Sequence, residues 1–142
     1  MGQPMIGEDE AVDKRAVAAW VEGYERSWRS PGTDQLAELF SPDVSYVPSP
    51  WASAVNGLDE LARFWEAGRD RPDEQFTLSS EVVALEGDTA VVRLSVDYLG
   101  PDTTRWRDLW VLEFAPDGRC ARFEEWPFTP GQPDGHEGDS GR

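Results

Sequence analysis

Acidic side chains stand among large aromatic ones in the segment from Thr104 to Phe128. The acids include Asp108, Glu124 and Glu125, and their aromatic neighbours are Trp106, Trp110, Phe123 and Trp126. A carboxylate in such surroundings is either neutralised by an arginine or shielded from water, and shielding raises its pKa. A carboxyl group with a raised pKa can donate and accept protons near neutral pH. The segment can therefore carry acid/base chemistry only in the second of these two cases.

Other common kinds of catalytic group are scarce in this chain. His136 is the only histidine, and it lies in a segment rich in Gly, Pro and Asp, which argues against Ser-His-Asp and Cys-His catalysis. Lys14 and Cys120 are the only residues of their types, so a Schiff base is not indicated and a cysteine-rich metal site is excluded. We therefore expect no metal site and no cofactor, and any reaction must use Asp, Glu, Tyr, Arg, Ser or Trp.

Length and charge restrict the class of protein further. The chain has 142 residues, of which 39% are hydrophobic, and this predicts a single folded domain. The net charge of -15 argues against nucleic acid and anionic membrane surfaces as partners, because their phosphates would repel it. Without a basic N-terminal region followed by an apolar run, or any stretch long enough to span a membrane, we expect a cytoplasmic protein.

Helical periodicity dominates the first half of the chain. A helix is predicted from Glu8 to Trp28, with an apolar face made by Val17, Trp20, Val21, Tyr24 and Trp28. A short second helix is expected to begin at Thr33 or Asp34, to reach Phe40 and to be broken by Ser41-Pro42-Asp43. A third helix is predicted from Leu58 to about Gly68.

The remaining segments alternate as strands do. Two short strands are predicted at Val44 to Val47 and near Ala54 and Val55, and four long ones at Phe76 to Leu85, Thr89 to Leu99, Thr104 to Phe114 and Arg119 to Phe128. Helices followed by a run of strands indicate an α+β domain. We assign residues 9–129 to this domain, residues 1–8 to a disordered N-terminus and residues 130–142 to a disordered acidic tail.

The register of the last hairpin has two possible solutions. A type I turn with a Gly bulge at Pro116-Asp117-Gly118 would place Phe114 opposite Cys120, and Glu125 would then share a face with Arg107. A slip of one residue would pair Glu125 with Trp110 and turn it to the other face. Turn chemistry favours the first solution, whereas apolar matching favours the second.

The order and spacing of these segments resemble the nuclear transport factor 2-like superfamily, in particular its SnoaL-like branch. The resemblance covers roughly Ala11 to Thr129 and rests on the first helix, on the run Leu36 to Val44, on Gly57 before the third helix and on the closing hairpin. It implies a cone-like curved antiparallel sheet wrapped around the three N-terminal helices, with a pocket for a small, mostly apolar molecule at the open end. It also implies a homodimer formed through the sheet.

The resemblance assigns roles to residues by position. Tyr24 fits the first-helix tyrosine of ketosteroid isomerases, but Pro48-Ser49-Pro50-Trp51 lacks their aspartate base, and the histidines of scytalone dehydratase are missing. Glu125 is similar to the last acid of limonene epoxide hydrolases and Asp97 to the first, although Ser95 replaces the expected arginine. Polyketide cyclases of the SnoaL type use an acidic side chain in an apolar pocket, a role that suits Glu125 best and Asp97 and Asp108 less well.

The resemblance thus implies Glu125 and Asp97 as catalytic residues of a cofactor-free isomerase, cyclase or hydrolase. The residues assigned to substrate binding are Tyr24, Trp28, Tyr46, Arg107, Trp110 and Phe123. Structural roles compete with each assignment, because Glu125 could pair with Arg107 and Asp97 could lie on a solvated outer face. The alternative function is a non-catalytic module for small-molecule binding or dimerisation, with its interface at Trp51, Trp126 and Phe128.

Overall fold

The computed structural model describes residues 12–68, 75–100 and 103–133. The described residues form three helices and a six-stranded sheet, and all three helices come before the last four strands in the chain. The helices are α1 (Lys14–Arg29), α2 (Leu36–Leu39) and α3 (Gly57–Gly68). The strands are β1 (Phe40–Val47), β2 (Val55–Asn56), β3 (Phe76–Glu86), β4 (Thr89–Tyr98), β5 (Arg105–Phe114) and β6 (Cys120–Phe128). None of the three described helices has the length and apolar composition needed to cross a lipid bilayer.

Helix α1 begins at a side-chain cap. The Asp13 carboxylate accepts a hydrogen bond from the backbone N–H of Ala16 at 2.8 Å, and the extended backbone of Asp13 separates it from the helix. The described helix therefore begins at Lys14, later than predicted. The predicted start at Glu8 lies outside the described residues, and so do most of the residues predicted to be disordered at the two ends of the chain. Its apolar stripe packs inward as predicted, and the indole N–H of Trp20 donates to the Leu39 carbonyl at 2.9 Å.

Strand β1 corrects one sequence prediction. Helix α2 ends at Leu39, close to its predicted end at Phe40, but the strand predicted from Val44 already begins at Phe40 and includes Ser41, Pro42 and Asp43. Pro42 lies in an irregular stretch between the paired residues Phe40 and Ser45, where its missing N–H does not interrupt regular pairing. The strand signal of this segment was hidden because proline usually ends a strand.

The sheet has the order β2-β1-β6-β5-β4-β3 and is curved but not closed. All neighbouring strands are antiparallel except β1 and β6, which are parallel and place Tyr46 beside Phe123. Buried helix residues such as Trp20 and Trp65 share one core cluster with inward strand residues such as Leu94 and Leu112. The predicted α+β fold, with a curved sheet around three helices, is confirmed, with one parallel pair in the sheet.

A β-bulge resolves the register of the last hairpin. Phe114 pairs with Cys120, as turn chemistry favours, whereas Leu112 pairs with Phe123 and Trp110 with Glu125, as apolar matching favours. The register shifts between Phe114 and Glu113, so one extra residue, Ala121, is accommodated on β6. Both preferences are therefore satisfied in one hairpin, and Glu125 faces the same side as Trp110.

Candidate active site

A cavity of about 490 Å³ lies among the ends of α1, α3 and five of the strands. Its wall is dominated by nine aromatic side chains, which are Tyr24, Trp28, Tyr46, Phe64, Trp65, Phe76, Tyr98, Trp106 and Trp110. Aliphatic contacts come from Leu78, Val96, Pro48 and Pro127. The charged residues in the wall are Glu25, Asp108 and Glu125, and the described lining contains no Arg, Lys or His. The cavity has the size and the largely apolar character of a small-molecule site.

Two carboxyl groups meet inside this cavity. Asp108 lies on β5 and Glu125 on β6, and strand alternation turns both side chains toward the helices, as it does for Trp110. The Asp108 side chain is almost fully buried, with a relative exposure of 7%. The pair is possible because the bulge at Ala121 places Glu125 on the inward face.

Burial and mutual repulsion hold a proton on this pair. Burial is the largest cause that raises the pKa of Glu125 well above its ordinary value, and the neighbouring Asp108 raises it further. Burial also raises the pKa of Asp108, while the hydrogen bond from Glu125 and the backbone N–H of Phe128 oppose that rise. Burial therefore favours the protonated form of both carboxyl groups, and a proton shared between them joins the two by a hydrogen bond. Such a pair holds an acid and a base side by side.

Two tyrosines supply hydroxyl groups to the same site. The Tyr24 and Tyr46 hydroxyl oxygens lie 3.1 Å apart, within hydrogen-bond distance, and join α1 to β1. Burial is the main cause that raises the pKa of both phenols well above its ordinary value, and Glu125 raises both further. The neighbouring Tyr46 also raises the pKa of Tyr24, whereas the hydrogen bond with Tyr24 lowers that of Tyr46. Both hydroxyls therefore stay protonated and can donate hydrogen bonds to an oxygen of a bound molecule.

The predicted residue Phe123 lies beneath the tyrosines rather than in the cavity wall. Its ring is parallel to that of Tyr46 at a centroid distance of 4.4 Å, and parallel to that of Tyr24 at 5.7 Å. Phe123 is fully buried. Its position indicates a supporting role, since a stacked ring restricts how the two phenols can turn.

Asp97 and Arg107 lie on the outer face of the sheet. The Arg107 guanidinium donates to the Asp97 carboxylate at 3.0 Å, and Arg105 lies 3.7 Å from the same oxygen. The hydrogen bond from Arg107 is the main cause that lowers the pKa of Asp97. Neither residue lines the cavity, and Arg107 pairs with Asp97 rather than with Glu125. The structure thus brings together Glu125, Tyr24, Tyr46, Trp28 and Trp110 from the sequence predictions.

Asp108 was a weaker candidate in the sequence than its position warrants. Its shared parity with Trp106 and Trp110 was a usable signal, because those aromatic side chains face the cavity. No comparable pattern in the sequence indicated that Trp65 and Tyr98 line the cavity. Their place in its wall depends on how α3 and β4 pack around it.

Two buried polar atoms in the cavity wall have no hydrogen-bond partner among the described residues. They are the indole nitrogen Nε1 of Trp65 and the carboxylate oxygen Oδ1 of Asp108. The indole N–H of Trp110 instead acts on Glu125 and lowers its pKa against the effect of burial. Buried polar atoms are normally paired, so the two unpaired atoms mark a place where a bound molecule or water is expected. Within the described part of the chain, no group of three or more His, Cys, Asp or Glu residues is arranged to hold a metal ion.

Solved structures with the same architecture span several activities. The epoxide hydrolase/cyclase-like enzyme SalBIII, from pyran ring formation in the polyether salinomycin, is 16% identical with a TM-score of 0.65, over 82% of this chain and 93% of that one. An LEH-like epoxide hydrolase of M. tuberculosis is 16% identical with a TM-score of 0.63, over 80% of this chain and 84% of that one.

A further similar structure is a protein of unknown function with a cystatin-like fold from Methylobium petroleophilum PM1. It is 16% identical with a TM-score of 0.66, over 88% of this chain and 83% of that one. At these identities the similarity establishes the fold and leaves the reaction open. Among proteins with curated functions, none matches this chain.

The family assignment rests on the sequence itself. The model of the SnoaL-like domain matches residues 17–123, which begin within α1 and end at Phe123 on β6. The match covers most of the domain and contains both tyrosines and Asp108, whereas Glu125 lies just beyond it. This protein belongs to the SnoaL-like domain family of the nuclear transport factor 2-like superfamily.

Proposed function

We propose that this protein is a cofactor-free isomerase, cyclase or hydrolase that acts on a small, mostly apolar molecule in the aromatic cavity. The observation that supports this most is the Asp108–Glu125 pair, which is held among aromatic rings without an arginine in the described lining. A structural ion pair would have placed a cation beside Glu125.

In this proposal each polar group has a distinct part. Glu125 donates a proton to an oxygen of the substrate, and the Asp108 carboxylate accepts a proton from another position of the substrate or from water. Transfer of that proton from Asp108 to Glu125 restores the starting pair. The Tyr24 and Tyr46 hydroxyls donate hydrogen bonds to an oxygen on which charge develops. The aromatic wall excludes water, which strengthens these interactions.

Ligand screening by thermal shift tests the proposal. We expect small apolar compounds with an oxygen function to raise the melting temperature of the wild type, because binding to the native state stabilises it. Glu125→Gln should change the affinity of such compounds, whereas Asp97→Asn, which alters an acid on the outer face, should not. No stabilising compound for any of the three proteins, or equal responses of wild type and Glu125→Gln, would contradict the proposal.

The outer face of the sheet favours a second candidate function, a non-catalytic binding and dimerisation module. Leu109 and Trp126 are directly paired and are 40% and 39% exposed, and the neighbouring Phe128 is 52% exposed. Contiguous exposed apolar side chains on one face are typical of a protein interface. We propose that this face forms a homodimer, with or without catalysis in the cavity.

Sedimentation velocity distinguishes this interface from a merely apolar surface. The wild type should sediment as a dimer at micromolar concentration and Trp126→Ser as a monomer. Val83→Ser is the control, because Val83 is also exposed but lies on the edge strand β3, two strands away from β5. A monomeric wild type would exclude this interface.

A further inference from the structure

All charged residues in the described lining of the cavity are acidic. Asp108 is almost fully buried, and no Arg, Lys or His belongs to the described lining. With one proton shared between them, Asp108 and Glu125 together carry a negative charge that no protein cation in that lining balances. A buried charge without a partner is costly, so such a site gains most from a ligand that brings the opposite charge.

One oxygen atom of the acid pair is the candidate contact for the positively charged group of a ligand. Oδ1 of Asp108 is buried and accepts no hydrogen bond from the described residues. The Phe128 N–H and the Glu125 carboxyl group act on the Asp108 carboxylate, whose two oxygens have lone pairs for further donors. A protonated amine, which carries only donors, would satisfy both the charge and the open oxygen.

The aromatic wall suits the same ligand. The faces of Trp, Tyr and Phe rings attract cations, and the attraction grows when water is excluded. At the rim this already happens, because the Arg29 guanidinium lies 3.9 Å from the centroid of the Phe76 ring. Arg29 is itself paired with Glu25 at 2.8 Å, so its charge is balanced there and does not reach the acid pair as a free cation.

We propose that the ligand of this cavity is an organic cation, a mostly apolar molecule with a protonated amine that contacts Asp108 and the surrounding aromatic rings. The proposal rests on the proposed function, since it names the substrate class of the same site. The net charge of -15 acts in the same direction, because an acidic protein attracts cations over a long range.

Calorimetric titration with two matched probes tests the proposal on the full chain near neutral pH. Phenylbutylamine is protonated there, whereas phenylbutanol has nearly the same shape and no charge. We expect the amine to bind the wild type at least about tenfold more tightly than the alcohol. Asp108→Asn should remove most of that preference while changing the affinity for the alcohol less than about threefold. Asp97→Asn should retain the preference.

The possible outcomes distinguish the organic-cation proposal from the acid/base proposal on which it rests. Equal binding of amine and alcohol to the wild type would overturn the cation class and leave the acid/base pocket standing. Binding of neither probe would contradict both. The wild-type comparison needs no variant, so it decides the question even if Asp108→Asn fails to fold.

Discussion

Glu125 illustrates how the surroundings of a carboxyl group determine its chemistry. An exposed glutamate is ionised at neutral pH, whereas burial and the adjacent Asp108 favour the protonated form in this cavity. Asp97 shows the opposite case on the outer face, where Arg107 lowers its pKa. Two acids that look alike in the sequence thus have opposite electrostatic environments.

The raised pKa of Glu125 predicts how stability depends on pH. Because the folded-state pKa lies above the unfolded-state value of about 4.3, the native state binds more protons between the two values. Its stabilising contribution is therefore complete below the unfolded-state pKa and is lost as pH rises through the folded-state pKa. Urea denaturation from about pH 5 to about pH 8 should show the free energy of unfolding falling with pH in wild type and falling less steeply in Glu125→Gln.

Asp97→Asn is the control for this pH series. The lowered pKa of Asp97 means that its contribution is present above its unfolded-state pKa and is lost only as pH falls into the acid range. The variant should therefore keep the slope of the wild type above pH 5. Parallel curves for wild type and Glu125→Gln would refute a protonated Glu125.

The hydroxyl pair of Tyr24 and Tyr46 gives a prediction of its own. Either single change to Phe leaves a buried hydroxyl without this partner and should cost about 1 to 2 kcal/mol of unfolding free energy. The double variant removes both hydroxyls and should cost clearly less than the sum of the two single changes. Urea denaturation of the four proteins measures this coupling, and strictly additive losses would show that the hydroxyls do not interact.

Among the elements, β6 is the one that the sequence described incompletely. Its bounds and its turn could be predicted, but its inward face could not, because the extra residue Ala121 has no distinctive chemistry. The bulge satisfies both the geometry of the turn and the packing of the core, so neither of these two preferences alone predicts it. Strand β1 was shortened in the prediction for a related reason, since Pro42 is tolerated only where pairing is irregular.

Helix α1 provides a prediction at the scale of the element. Asp13→Ala removes the acceptor for the N–H of Ala16 and should lower the free energy of unfolding by about 1 kcal/mol. Asp13→Asn should be nearly neutral, because asparagine caps helices about as well. Urea denaturation compares the two, and equal losses would mean that the cap contributes through charge alone.

At the scale of the whole molecule, the fold was predictable and the assembled cavity was not. Helix and strand periodicity revealed every described element, because each buries one face of a regular pattern. The cavity instead depends on distant contacts, such as the parallel pairing that sets Tyr46 beside Phe123 and the approach of α3 that brings in Trp65. Glu125, Tyr24 and Tyr46 were found from sequence and resemblance, whereas the partnership with Asp108 required the register.

The most direct test of this account is a carboxyl carbon NMR titration of Glu125 in the wild type and in Asp108→Asn. We predict that Glu125 titrates well above the ordinary pKa of a glutamate in the wild type, and that Asp108→Asn moves this pKa downward because the neighbouring charge is gone. A Glu125 carboxyl group that titrates at its ordinary pKa in the wild type would contradict the acid pair and the function proposed from it.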